Sequence, residues 1–272
     1  MNSYQEEIQE WQQSLDANLR KENSWLALAG LFWLDEGKNT FGASDENDIV
    51  FPDAGIPLQI GVFNVDGDTV TLKVTADTPI DVDGGPAKEA LLRPDISGEP
   101  TQLKLSSLTF ILIRREDGFG IRLWDAKNPT RDSFPGRQWF PIDKNFRIEG
   151  SYQRYADGQL ASFERKNGAA FEARLEGEVR FSINGETHAL AAFEDENGEL
   201  FIMFRDATNG SESYGSGRYL SVDAPQDGVA IIDFNRAVNP PCAFTPYATC
   251  PLPPAQNNLP IRIPVGEKKA LP

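Results

Sequence analysis

Residues 239–254 carry six prolines, at 240, 241, 246, 251, 253 and 254, together with both cysteines of the chain, Cys242 and Cys250. Each proline lacks an amide donor and fixes its own φ, so this segment can be neither a helix nor a central strand. Proline also reduces the conformational entropy that an irregular segment loses on ordering. A rigid strap over residues 239–257 is therefore expected, either packed flat on a core or forming one wall of a pocket. The residues before it lead toward the pocket. Two apolar runs, 201–204 and 229–234, end in Arg205 and Asp206 and in Asp233, Asn235 and Arg236. Between them, Tyr214-Gly215-Ser216-Gly217-Arg218-Tyr219 sets glycines beside hydrogen-bonding side chains, as a backbone passing close to another group requires.

The chain has 272 residues, 40% of them hydrophobic, enough to bury two moderate cores. Lys and Arg total 26 against 41 Asp and Glu, a net charge of −15. A field of that sign opposes binding to nucleic acid or to an anionic membrane, both of which need cationic surface. The N-terminus lacks a basic segment followed by an apolar one, and no run approaches the roughly 18 apolar residues of a spanning helix. A cytoplasmic protein is expected. Cys242 and Cys250 fit that compartment as free thiols, although their spacing also permits a disulfide.

Tyr4, Ile8, Trp11, Leu15 and Leu19 recur at helical spacing and predict an amphipathic helix over 3–22 whose apolar stripe docks on a sheet. From Ser24 onward, short runs rich in Val, Ile, Leu, Thr and Phe alternate with Gly, Asp, Asn and Pro. Runs at 58–65 and 69–75 flank Asp66-Gly67, and runs at 108–115 and 119–124, preceded by a short one at 103–105, flank Asp117-Gly118; both dipeptides are tight hairpin signals. Residues 125–141 are loop-like. Strand patterns return at 146–155, 170–175, 179–183, 187–193 and 200–204, with Asn184-Gly185 as the strongest turn, and a last strand at 261–263 is expected to close the sheet. The expected fold is mostly β: a docking helix (1–23), an antiparallel β-sandwich (24–125), a linker (126–140) and an antiparallel barrel-like domain (141–272) with its strap.

The segment WLDEGKNTFGASDENDIVFPD, residues 33–53, with the hairpins that follow it, resembles the opening of a forkhead-associated (FHA) β-sandwich. That resemblance implies the sandwich fold. It does not imply phosphothreonine recognition, because Gly42-Ala43 stands where the family has a Gly-Arg pair, and Gly55-Ile56-Pro57-Leu58-Gln59 where it has a Ser-Arg-x-x-His-like segment. Over nearly its whole length, the chain resembles a bacterial and archaeal family of conserved proteins of unknown function. The resemblance rests on LAGLFWLDEG at 28–37, FRDATNGSESYGSGRYL at 204–220 and the tail DFNRAVNPPCAFTPYATCPLPPAQN at 233–257. It implies no activity.

With one histidine, His188, the chain cannot build a histidine-rich metal site, and neither a Gly-x-Ser-x-Gly elbow nor a phosphate or dinucleotide glycine fingerprint occurs. No metal and no cofactor are implied. What remains is a polar cluster. Arg205, Arg218 and Arg236 offer planar donor forks for a carboxylate or phosphate, and Asp206 and Asp233 either hold those forks or act as acid and base. Tyr214, Asn235 and Asn257 supply further hydrogen bonds. The leading expectation is a small anionic or polar ligand in the C-terminal domain under the strap. In the catalytic version of this reading, hydrolysis or isomerisation uses Asp233 as base and Arg218 as charge stabiliser, and Cys242 is a nucleophile beside Arg236. Arg218→Ala is then expected to abolish binding and spare the fold. The alternative is a noncatalytic module whose FHA-like sandwich contacts a protein partner through an open groove near 42–47.

Overall fold

Alternation of apolar and polar side chains turns one face of a strand toward a core, and among the described residues three buried clusters form. The computed structural model describes residues 3–77, 79–116, 118–166 and 168–270. It divides into two compact units, one of Ala17–Phe134 and one that joins Met1–Asp16 to Pro135–Pro272. The division falls inside helix α1 (Tyr4–Leu19) and at the end of the one-turn helix α2 (Thr130–Ser133). No described helix is long and apolar enough to cross a membrane.

The unit Ala17–Phe134 contains β1 (Leu28–Trp33), β2 (Gly37–Gly42), β3 (Ile49–Val50), β4 (Gly61–Asp66), β5 (Thr69–Val74), β6 (Ile80–Val82), β7 (Gly85–Ala87), β8 (Glu89–Leu91), β9 (Leu103–Leu105), β10 (Leu108–Arg115) and β11 (Gly118–Asp125). They form one sheet in the order β1-β11-β10-β9-β6-β7 and another in the order β3-β2-β4-β5-β8. Phe41, Phe63 and Leu72 from the second sheet share one core with Phe110, Leu112 and Ile121 from the first. Face-to-face burial of that kind is a sandwich. The β4–β5 turn sits one residue later than expected: Asp66 pairs with Thr69, leaving Gly67 and Asp68 as the loop, and of these Gly67 alone has positive φ. Asp117, half of the second expected turn, lies outside the described residues. The 42–47 segment leaves Asp45 and Glu46 exposed and is anchored by Ala43 N on Pro57 O, Ser44 N on Leu58 O and the Asn47 amide donating to Ser44 O and Leu58 O.

In the other unit, β12 (Arg147–Glu164), β13 (Ala170–Ile183), β14 (Glu186–Glu194), β15 (Leu200–Phe204), β16 (Arg218–Val222) and β17 (Val229–Asp233) form an antiparallel sheet in the order β16-β15-β14-β13-β12-β17. Asn184 and Gly185 both take positive φ between the paired Ile183 and Glu186, as the Asn-Gly signal requires. The β12–β13 hairpin is much longer than the sequence pattern predicts, with strands of 18 and 14 residues. Its pairing register shifts between Arg154 and Gln159. A bulge of this kind bends the ribbon. Before the bend, Val179 and Phe181 join Leu190, Ile202 and Phe234 in the main core. Beyond it, Phe163 and Leu175 pack with Ala191 and Met203, which point to the opposite face of β14 and β15. The hairpin therefore curls over the back of its own sheet and delivers its tip to the strap, where Lys166 N donates to Cys250 O at 3.1 Å and Leu252 N to Glu164 O at 2.8 Å.

The strand expected at 261–263 does not form. Pro260 and Pro264 bracket it without donors, and Ile263 N is instead taken by the Asp206 carboxylate at 2.8 Å. The stripe on α1 does dock: Ile8 is fully buried and Trp11 lies 5.7 Å from Trp139, ring centre to ring centre. Because Phe163 is what seats the curled half of the hairpin, Phe163→Ala is expected to cost about 3–5 kcal/mol. Faster amide exchange at 160–175 than at 179–183, measured by hydrogen–deuterium exchange, would locate the loosening in that half.

Candidate functional site

The residues singled out from sequence separate into three places. Asp206 and Arg218 form a fully enclosed pair, with Arg218 Nη2 donating to Asp206 Oδ1 at 3.1 Å. Arg218 also donates to the carbonyls of Ile263, at 2.9 Å, and Val265. Asp206 additionally takes Thr208 N and Oγ1. Burial pulls the Arg218 guanidinium below its ordinary pKa, against the opposing pull of Asp206. Its side chain is 0% exposed, so it holds the fold and presents nothing to a ligand. Arg205 lies alongside: its backbone N donates to Asn257 O and its O accepts from Leu259 N, tying the tail to the end of β15.

Asp233, Asn235 and Arg236 sit under α1. Tyr4 Oη donates to both Asp233 oxygens at 2.8 Å, and Asn235 gives the same carboxylate its backbone N and its amide. Arg236 pairs with Glu7 and lies 5.3 Å over the Trp11 ring. These contacts dock the helix. Asn257, at the end of the strap, is likewise consumed: its amide group bonds Ala191 N, Ala191 O and Met203 O.

Tyr214 and Cys242 come together elsewhere, at the hairpin tip. Lys166 Nζ donates to Tyr214 Oη at 2.7 Å and to Cys242 O at 3.3 Å. Tyr214 Oη donates to Cys242 O at 2.8 Å and lies 3.7 Å from Cys242 Sγ. Cys242 is in a turn begun by Pro240-Pro241, and its backbone N donates to Cys250 Sγ at 3.3 Å. Both thiols are free and buried. Their setting is built by neighbours: Arg165 holds Thr249 O, Tyr219 Oη holds Pro251 O at 2.7 Å, and the Asn209 amide holds Tyr214 O. Gly217, at φ 99°, lets the strap pass, since a Cβ there would meet Pro253 Cγ at 2.6 Å. Behind the site runs a chain of aromatic contacts, Phe171 to Phe163 to Phe193 to Phe201 to Tyr219.

A hydrogen bond from the Cys250 thiol, helped by Tyr214 and Lys166, lowers the Cys242 thiol to about 6 despite its burial. Sharing that proton pushes Cys250 up. A cation and a donor beside a sulfur are the ordinary way to make a reactive thiolate. Sequence reasoning missed Lys166, whose available signal is an adjacent basic pair, Arg165-Lys166, in a chain of net charge −15. Among the described residues no group of three or more His, Cys, Asp or Glu is arranged to hold a metal.

Glu267 was also missed. It is 1% exposed, accepts from Arg137 Nη1 at 2.6 Å and Asn239 N at 2.8 Å, and burial still pushes its carboxyl up to about 7.

A mostly antiparallel β-protein with a strapped C-terminal unit and a cysteine pair is the class defined by this fold and site. The family described as "Protein of unknown function (DUF1684)" matches residues 132–268, just over half of the chain, and the chain belongs to it. No curated protein matches. Among solved structures, an uncharacterised protein of Haloarcula marismortui is 31% identical over 51% of this chain and 79% of its own, with a TM-score of 0.43. The FHA domain of FhaA, solved with the intracellular domain of Rv3910, is 18% identical over 34% of this chain and 85% of its own, with a TM-score of 0.25. Neither likeness carries a functional inference to this chain.

Two outcomes are expected from these contacts. Removing one partner of a buried ion pair strands the other charge, so Arg218→Ala should lower unfolding stability by about 3–5 kcal/mol in a denaturant titration. This replaces the sequence expectation that the fold would be spared. For Glu267, the folded pKa of about 7 lies above the ordinary value of 4.5, so its contribution is full below 4.5 and is lost as pH rises through 7. The stability difference between wild type and Glu267→Gln should therefore change across that window, and a pH-independent difference would show that Glu267 stays ionised throughout.

Proposed function

We propose that the C-terminal unit binds a small anionic, electrophilic molecule where the hairpin tip, the 214 loop and the strap meet, and that Cys242 is the group that reacts with it. The observation that carries this reading is the succession of exposed Lys166 ammonium, half-buried Tyr214 hydroxyl and buried Cys242 sulfur, spaced 2.7 and 3.7 Å apart. A cation at the rim attracts the anion, a phenol donates to it, and a thiolate waits below. Asp233 and Arg218 have no part in this reading, because Tyr4 and Asn235 fill the first and the tail carbonyls fill the second. Arg236 is likewise engaged by Glu7, so Lys166 takes its place as the cation near the thiol.

A thermal-shift screen of small carboxylates, phosphates and sugars tests it, run on wild type, Lys166→Ala and Tyr214→Phe. A ligand at about 100 times its Kd adds roughly 2.7 kcal/mol to stability. A wild-type shift that both variants lose supports the site, and a screen without any wild-type shift overturns it. Independently, alkylation of Cys242 by iodoacetamide should rise with a midpoint near pH 6 in wild type. Loss of the Lys166 charge should move that midpoint upward.

A further inference from the structure

We propose that Cys242 and Cys250 form a peroxide-driven dithiol–disulfide couple, with Cys242 as the attacking thiol and Cys250 as the resolving one. The proposal goes beyond the reading above, since it assigns a second and uncharged substrate class, hydroperoxides, to the same sulfur, and it rests on that reading only for the Lys166–Tyr214 setting.

Four observations converge on it. The chain has two cysteines and the fold brings them together: Cys242 N donates to Cys250 Sγ at 3.3 Å. Neither is in a disulfide, so both are present as thiols. The loop that carries them is pinned beside Cys250 from the hairpin tip and from β16, through Cys250 O, Thr249 O and Pro251 O. The backbone on both sides of Cys250 is therefore fixed relative to the hairpin tip and β16. Finally, each cysteine is only 6% exposed, which disfavours a disulfide to another chain.

The chemistry balances within the site. The Cys242 thiolate attacks the terminal peroxide oxygen; the O–O bond breaks, and the departing alkoxide or hydroxide takes a proton delivered through Tyr214 and Lys166. Cys242 is now a sulfenic acid. Cys250 attacks the Cys242 sulfur; the S–O bond breaks, and the leaving hydroxide takes up the proton that Cys250 gives up and departs as water. Two thiols are oxidised and one hydroperoxide is reduced to water or an alcohol. A dithiol reductant in solution regenerates the pair.

The test treats the full chain with hydrogen peroxide, denatures it in N-ethylmaleimide and reads intact mass and a peptide map. Wild type should lose the mass of two hydrogen atoms, take up no maleimide, show a 242–250 crosslink within one chain, and recover both thiols after dithiothreitol. Cys250→Ser should stop at a Cys242 sulfenic acid that dimedone traps, and Cys242→Ser should give neither product. Wild type that keeps both thiols alkylatable, or that crosslinks only between chains, overturns the couple. The wild-type result decides this even where a serine variant fails to fold. Because no ligand is added, the outcome is separable from the thermal-shift screen: a Lys166-dependent ligand with unreactive thiols would sink the couple and leave the binding site standing.

Discussion

The buried Asp206–Arg218 pair is the constraint on which the C-terminal unit depends. It lies where the paired ends of β15 and β16 meet the tail through Ile263 and Val265, which belongs to no strand. The tail is proline-interrupted and cannot join the sheet, so its backbone groups need side-chain partners to be buried at all. Asp206 accepts the one donor at Ile263, and Arg218 supplies donors to the two carbonyls. A hydrophobic pair of equal volume would avoid the desolvation of two charges. It would also leave those backbone groups without partners, and a charged fork serves better at this position.

The second determinant is the bend in the β12–β13 hairpin. A straight hairpin of that length would project into solvent; the register shift turns its outer half back, and Phe163 and Leu175 find cover on Ala191 and Met203. The consequence is chemical as well as structural. Lys166 comes from the hairpin tip, Tyr214 from the loop before β16, and the two thiols from the strap. None is a neighbour of another in sequence. Their meeting exists because a curled ribbon and a stiff strap converge.

The legible features were those governed by local physics. The stripe of α1, the paired positive φ at Asn184-Gly185 and the β10 and β9 boundaries follow from periodicity and turn chemistry, which act over a few residues. The Asp66-Gly67 turn was legible only to within one residue, since strand register decided which pair became the loop. The length of the hairpin was not legible, because between Arg154 and Glu164 Phe163 is the one buried side chain and the apolar Leu160 faces solvent. The arginine and aspartate candidates stood out in the sequence, but a side-chain type does not reveal whether its partner is a ligand or the protein's own backbone.

What the sequence by itself determined was the β-rich class, the docking helix and the irregular strap, because each rests on backbone rules that proline, glycine and apolar spacing impose locally. The tertiary structure alone decided that Arg218 and Asp233 are enclosed and that Cys242, Cys250, Tyr214 and Lys166 share one site. The reason is that both outcomes depend on contacts between segments tens of residues apart, set by the bend of a hairpin and by which polar groups the core had to satisfy.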